Sequence, residues 1–299
     1  MLRTTIIRAF DGSLADAEGL LAVEKATFDE SPYTAEEVQI MLTHGPQRAW
    51  LAFSQTEVVG FVTAFATAGL RGPCWEIDLL AVHPDWTGQG LATRLIRAAA
   101  AYSLAPASLS RAVVATNNAG SVRAFMRAGF RRAGRCKLLI FRPKEQSPQA
   151  LVALNVTVRE VESEELASLL PAEMAPLDDD SPATLPRQQS TQESTLLWAE
   201  GRGQPFGYAE LLEVQTLLYR GIWIESLAAS KQIAHAALVH EAVKRAIAAD
   251  LDEIGMMVPE RDQAVQATLR AAGFHSLGSF DWFTAALPLP GLVSGSEEL

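Results

Sequence analysis

The chain has 299 residues, 48% hydrophobic and 20% charged, with a net charge of -10; this is the balance of a folded globular protein long enough for two domains, not of a disordered one. Residues 1–145 carry 16 Lys and Arg against 13 Asp and Glu, whereas residues 146–299 carry 9 against 22, and so acidic a second half argues against general nucleic-acid binding, which needs a basic stripe. No apolar run approaches the ~20 residues of a membrane helix, no signal-peptide core follows Met1, and Cys74 and Cys136 have no metal-ligand spacing; a cytoplasmic protein without metal or membrane partner is expected.

In chain order, residues 4–9 read as a first strand and 14–28 as an amphipathic helix with Leu20, Leu21 and Val23 among its apolar positions. Thr34 followed by Glu37 has the capping-box spacing and opens a second helix that ends near His44-Gly45-Pro46. Residues 48–53 and 58–66 read as strands joined by a polar turn, and 77–82 as a strand closed by His83-Pro84-Asp85. Leu91, Leu95, Ala98, Ala99 and Tyr102 then recur at helical spacing. A strand at 111–115, a helix at 119–128 ending at Gly129 and a strand at 135–141 complete the first half. Between the strand at 77–82 and its helix stands Thr87-Gly88-Gln89-Gly90-Leu91-Ala92. Glycines at a helix start let the backbone approach a phosphate, and the first helical N–H groups lack internal partners, so this loop suits a pyrophosphate. A plain tight turn into a packed helix would use the same residues.

The order strand, two helices, three strands, helix, strand, helix, strand resembles the GNAT superfamily of acyl-CoA-dependent N-acyltransferases. Leu80-Ala81-Val82-His83-Pro84 is similar to the end of that family's fourth strand, and Gly88-Gln89-Gly90-Leu91-Ala92 to the core of its acyl-CoA loop. Asn118, Phe125 and Gly129-Phe130 match the family's asparagine, aromatic and Gly-Phe spacing. The resemblance covers about residues 3 to 142.

A second copy follows. Gly60-Phe61 recurs as Gly207-Tyr208, and Ile77-Asp78-Leu79-Leu80-Ala81 as Ile224-Glu225-Ser226-Leu227-Ala228, both 147 residues on; Gly129-Phe130 recurs as Gly273-Phe274, 144 on. The fold implied is α/β (α+β): two tandem GNAT-like domains, each a mixed, mostly antiparallel central sheet flanked by helices. The chain divides into an acyltransferase domain at 1–145, a linker at 146–152, a degenerate GNAT-like domain at 153–286 and a tail at 287–299. In the second copy Gly88 and Gly90 become His235 and Ala237, so side chains stand where the backbone would meet a phosphate. His235 and His240 lie five apart on a helix, off a common face, which disfavours a metal. The second copy reads as having lost acyl-CoA binding and as a scaffold, a substrate wall or the surface of a homodimer. Residues 171–195 read as a long loop, either solvated or a lid.

N-acyl transfer from a thioester needs a neutral amine, a polarised carbonyl and a proton for the leaving thiolate. Strand alternation puts Glu76, Asp78, Leu80 and Val82 on one face, making Glu76 and Asp78 the candidate catalytic bases, with one pKa raised by the like charge beside it. Solvated surface carboxylates are the alternative. The resemblance further implies acetyl-CoA as cosubstrate, held by Leu80, Ala81, Val82, Thr87, Gly88, Gln89, Gly90, Leu91, Ala92 and Thr93. Leu80 N–H would polarise the thioester carbonyl, Val82 would pair with pantetheine, and Asn118 would bond pantetheine, cap a helix, or do both. Two departures stand out. Thr87 replaces the family's usual Arg or Gln, and Phe125 occupies the place of a tyrosine general acid, able to pack against the ligand but without a proton to give. Tyr33 and Tyr102 are candidate donors, beside water or unassisted thiolate departure. Arg123 and Arg127 either reach the 3′-phosphate of CoA or form a solvated basic face.

On the acceptor side Phe28 and Tyr33, with Asp29, Glu30 and Glu36, suit a small-molecule amine or the amino group of a peptide or protein. The function read is N-acetyl transfer by direct transfer in the N-terminal domain; the alternative is a non-catalytic acyl-CoA-binding sensor, which Phe125 favours.

Overall fold

The computed structural model of the chain describes residues 4–28, 33–70, 72–102, 109–147, 156–162, 165–166 and 194–289. The first half contains β1 (Ile6–Ala9), α1 (Leu14–Phe28), α2 (Ala35–His44), β2 (Arg48–Ser54), β3 (Glu57–Gly69), β4 (Gly72–Val82), α3 (Leu91–Ala101), β5 (Leu109–Ala115), α4 (Ala119–Ala128) and β6 (Arg131–Phe141). The second contains β7 (Thr157–Val161), β8 (Ser194–Gly201), β9 (Gln204–Gln215), β10 (Arg220–Ala229), α5 (Gln232–Ala248), β11 (Glu253–Pro259), α6 (Gln263–Ala271) and β12 (His275–Ala286). Local chemistry sets several of these boundaries. Thr34 Oγ1 accepts from Glu37 N–H at 3.3 Å while the Glu37 carboxylate accepts from Thr34 N–H at 2.8 Å, the complete capping box of α2. α4 starts at Asn118, whose Oδ1 accepts from Ser121 N–H, and ends at Gly129, whose φ of +107° is the left-handed conformation of a helix stop.

The twelve strands form one sheet in the order β1-β2-β3-β4-β5-β12-β6-β11-β10-β9-β8-β7. The last strand of each half lies inside the other half. β12 runs antiparallel between β5 and β6, and β6 pairs antiparallel with β11. The cores record the same exchange. Phe283 and Ala285 of β12 pack with Trp50, Trp75, Leu95 and Phe125 on the side of α3 and α4. Leu139 and Phe141 of β6 pack with Leu197, Ile222, Leu238 and Phe274 in the core of the second half. Burying one such side chain contributes about 1.5–3 kcal/mol, so each half is stabilised by residues that the other supplies.

A third core packs α1 and α2 on the opposite face of the first half through Ala17, Leu20, Val38, Leu51, Phe61, Leu79 and Ala81. Leu217, from the turn between β9 and β10, is buried in it. The repeat persists in the pairing itself: Ile77 pairs with Ala64 and Leu80 with Val62, and 147 residues on Ile224 pairs with Leu211 and Leu227 with Ala209, the same bulge in β4 and in β10. Residues 287–299, expected as a tail, begin otherwise. Leu289 is 2% exposed in the first core, because the exchanged β12 carries it there. Residues 290–299 lie outside the described residues, as does the expected loop at 171–195 up to residue 193; Ser194 and Thr195 open β8. No helix among the described residues is long and apolar enough to cross a membrane.

Candidate active site

β4 and β5 run parallel and pair only from Cys74 with Leu109 to Ile77 with Ala112. β4 continues to Val82 and β5 to Ala115, so a wedge opens between them. Successive N–H groups along a strand point to alternate sides. His83 N–H goes to Val59 O at 3.0 Å and Leu79 N–H to Thr63 Oγ1 at 3.1 Å, both on the β3 side; the N–H groups of Leu80 and Val82 therefore face the wedge. At its mouth Pro84–Trp86 forms one 3-10 turn, which Thr87 Oγ1 closes by donating to Pro84 O at 2.9 Å. Gly88 and Gly90 have φ of +75° and +77°, and nothing stands within 4 Å of where a Cβ would be. No side chain caps α3, so the amides of Leu91, Ala92 and Thr93 open toward the same space. Leu91 is buried and anchors the helix, Thr93 Oγ1 ties it to Ala124 O of α4 at 3.4 Å, and Gln89 is exposed. A cradle of free amides at a helix N-terminus is what a pyrophosphate requires.

The bulge overturns the expectation that Glu76, Asp78, Leu80 and Val82 share a face. Asp78 and Leu79 together stand opposite Thr63, so the alternation of β4 changes phase there. Leu80 and Val82 turn with Trp75 and Ile77 toward the α3 side, whereas Leu79 and Ala81 enter the α1–α2 core. Glu76 and Asp78, alternating with Trp75 and Ile77, face the α1–α2 side. Side chains on one face and wedge amides on the strand edge thus come from consecutive residues.

The two carboxylates have different partners. Glu76 Oε1 accepts from Thr67 Oγ1 at 2.8 Å and from Arg111 Nε at 2.8 Å and Nη2 at 2.5 Å. Arg111 Nη1 reaches Glu225 Oε1 of the second half at 2.5 Å, and its guanidinium lies 5.5 Å from the centre of the Trp282 ring. Burial works against the guanidinium's charge, but Glu76 and Glu225 outweigh it and push its pKa well above the usual value. Glu76 is committed to an ion pair. Asp78 Oδ2 instead accepts from Gln47 Nε2 at 2.8 Å. Burial pushes the Asp78 carboxyl up to about 7; the Gln47 hydrogen bond pulls it down and the Glu76 charge adds to the rise. A carboxyl that titrates near neutrality beside a wedge of free amides is equipped to take a proton. Tyr219, in the turn between β9 and β10, belongs to the same neighbourhood: burial raises its phenol far above the usual range, and Asp78, Glu253 and Glu76 add to the rise.

The remaining expected residues scatter. Asn118 is the N-cap of α4. Phe125 is 3% exposed, edge-on to Phe130 and stacked on Phe283 at 5.7 Å, so its ring is part of the core. Phe28 is exposed at the end of α1, and Tyr33 is half-buried against the α1–α2 core, where burial raises its phenol; Asp29 and Glu30 lie outside the described residues. Tyr102 packs on Trp50 at the far end of α3, roughly 18 Å along the helix from Gly90 at 1.5 Å per residue. Arg123 and Arg127 are exposed on α4. His235 is half-buried on the first turn of α5, and burial lowers its pKa. Among the described residues no group of His, Cys, Asp and Glu could hold a metal. Sequence reasoning missed Gln47, Thr63, Arg111, Leu217 and Tyr219, which no motif marks; Glu225 was visible only as the repeat of Asp78.

A parallel strand pair that splays, a bulge that aims amides into the opening and a glycine-opened helix at its mouth together make a site suited to an acyl thioester that carries a pyrophosphate. Residues 17–130 match the model of the acetyltransferase (GNAT) family. Over nearly its whole length it has the fold of a GCN5-related N-acetyltransferase from Sphaerobacter thermophilus (TM-score 0.58, 19% identity, 94% of this chain and 95% of that one). A putative acetyltransferase from Pyrococcus horikoshii is similar (TM-score 0.54, 17% identity, 97% and 92% covered). So is a tandem GNAT protein from the clavulanic acid biosynthesis pathway (TM-score 0.53, 12% identity, 95% and 98% covered). Identities this low speak for the fold alone. No curated protein matches the sequence.

Proposed function

We propose that the chain is an N-acetyltransferase that moves an acetyl group from acetyl-CoA directly to a primary amine in its first half, with Asp78 as the general base. The observation that carries this reading is the bulge that sets the Asp78 carboxyl, pushed up to about 7 by burial, beside the Leu80 and Val82 amides it aims into the wedge. The residues present fit the cosubstrate: the open space at Gly88 and Gly90 and the uncapped amides of Leu91, Ala92 and Thr93 suit a pyrophosphate, and the Leu80 and Val82 N–H groups suit pantetheine and its thioester. Bound acetyl-CoA supplies the acyl thioester. Above pH ~7 Asp78 is a carboxylate and accepts the proton of the attacking amine. Leu80 N–H donates into the wedge, where a carbonyl oxygen gaining negative charge is stabilised by a fixed donor. Phe125 has no proton to give, which suits a leaving group that is stable as an anion.

The acceptor is a small-molecule amine or the amino group of a peptide or protein, met on the side of Phe28 and Tyr33. Residues 1–145, completed by β12, are the transferase unit of a cytoplasmic enzyme, joined by 146–152 to a degenerate copy at 153–286 that binds no acetyl-CoA. Measuring CoA release with a broad amine panel tests this. Turnover that falls about 10²–10⁴-fold in Asp78→Asn supports it. Acetyl-CoA binding with no release across the panel overturns it in favour of a non-catalytic sensor, the reading that Phe125 in the core favours.

A further inference from the structure

The second half reaches Asp78 by hydrogen bonds through Gln47. In the turn between β9 and β10, Thr216 N–H donates to Tyr219 O at 3.0 Å and Leu218 N–H to Thr216 Oγ1 at 3.1 Å, so the turn is closed on itself. Leu217, at its tip, is 1% exposed, its side chain in the α1–α2 core of the first half. Its N–H donates to Gln47 Oε1 at 2.9 Å. Gln47 lies between α2 and β2 and is 2% exposed. Because a main-chain N–H can only donate, it fixes which way the Gln47 amide faces: oxygen to Leu217, nitrogen away. The nitrogen then donates to Asp78 Oδ2 at 2.8 Å and to Thr63 Oγ1 at 2.9 Å, and Thr63 Oγ1 accepts the Leu79 N–H of the bulge at 3.1 Å. Turned over, the amide would present its oxygen to a carboxylate.

We propose that Gln47 is a positioning residue for the base Asp78, and that the turn Thr216 to Tyr219 of the second half is what orients it. The proposal rests on Asp78 as the base and gives the second half a part in the chemistry without an acetyl-CoA site of its own. Among the described residues, Glu76 on its own strand adds to the rise of Asp78, and Asp78 acts in turn on Tyr219 of the turn, as does Glu253 of β11; Arg111 of β5, paired with Glu76 and with Glu225 of β10, lies beyond Glu76.

Carboxyl-carbon NMR of the free protein, with Asp78→Asn to assign the resonance, reads the titration of Asp78 with no acetyl-CoA or acceptor present. Gln47→Met keeps the side-chain length and removes the donor, so the Asp78 midpoint is expected to rise by about one pH unit, the worth of one hydrogen bond to a carboxylate. Leu217→Ala keeps the N–H but takes its anchor out of the core, and moves the midpoint the same way by less. Should Gln47→Met not fold, Gln47→Glu, which still accepts from Leu217 N–H, raises the midpoint further by adding a charge. An unmoved midpoint in folded Gln47→Met or Gln47→Glu overturns the proposal, whatever turnover the enzyme shows. A moved midpoint in a protein that transfers no acetyl group sustains the coupling to Asp78 and overturns the transferase reading instead.

Discussion

Glu76 and Asp78 stand two residues apart on β4 with the same charge, yet Arg111 pairs with only one of them. Glu76→Gln leaves Arg111 and Thr67 with a weaker partner, so the free energy of unfolding should drop by about 1–3 kcal/mol, read by urea denaturation. Asp78→Asn should do the opposite. The Asp78 carboxyl titrates at about 7 in the folded protein against the ordinary 3.8, so the folded state holds this proton more tightly than the unfolded chain. Its contribution to stability is therefore complete below pH ~4 and is lost as pH rises through about 7, a loss on the order of 4 kcal/mol. Asparagine never ionises. At pH 8 Asp78→Asn is expected to resist urea better than the parent while losing turnover, and kcat/KM of the parent should fall on the acid side with a midpoint near 7. A variant no more stable than the parent at pH 8 would show that the carboxylate is solvated after all.

At the scale of elements, the glycine-opened start of α3 is the feature most exposed to test. Gly90 has φ of +77°, and a branched side chain there costs about 1–2 kcal/mol in backbone strain while filling the cradle. Gly90→Val should lower acetyl-CoA affinity at least tenfold by calorimetry and leave the rest of the sheet folded. This loop, the capping box at Thr34 and Glu37, and the turn at Gly129 were legible in the sequence because each is decided by neighbours a few residues away. The bulge was not: it depends on which residues of β3 face β4, and period-two alternation carries no mark of a slipped pair. Arg111 and Glu225 meet across 114 positions, and Gln47 is one polar residue in a turn, so neither contact leaves a local signal. Phe125 was read as a ligand contact from its place in the motif; that Phe283 stacks on it left no local signal, because that ring comes from the other end of the chain.

For the whole molecule, the repeat offsets of 147 and 144 residues announced two copies but not that each would lend its last strand to the other. The loss of the glycines at His235 and Ala237 predicts one acetyl-CoA per chain by calorimetry; a second equivalent would contradict the assignment of the site to the first half. Residues 1–145 expressed alone would lack β12 between β5 and β6 and Phe283, Ala285 and Leu289 in the first core. That fragment is expected to aggregate or stay unfolded by circular dichroism, whereas supplying residues 146–299 as a second chain should restore fold and turnover together. A fragment that folds and works alone would show the borrowed strand to be dispensable.

The borrowed strand also sets a clock. β5 ends at Ala115 and the strand that covers it begins at His275, so during synthesis its edge waits for about 160 further residues, roughly 8–30 s at ~5–20 residues per second. An uncovered edge is open to pairing with any other nascent chain. Dense polysomes and rapid expression should therefore favour tangled products, and slowing translation should favour the native pairing. The fold of the first half is therefore completed late, with the emergence of β12.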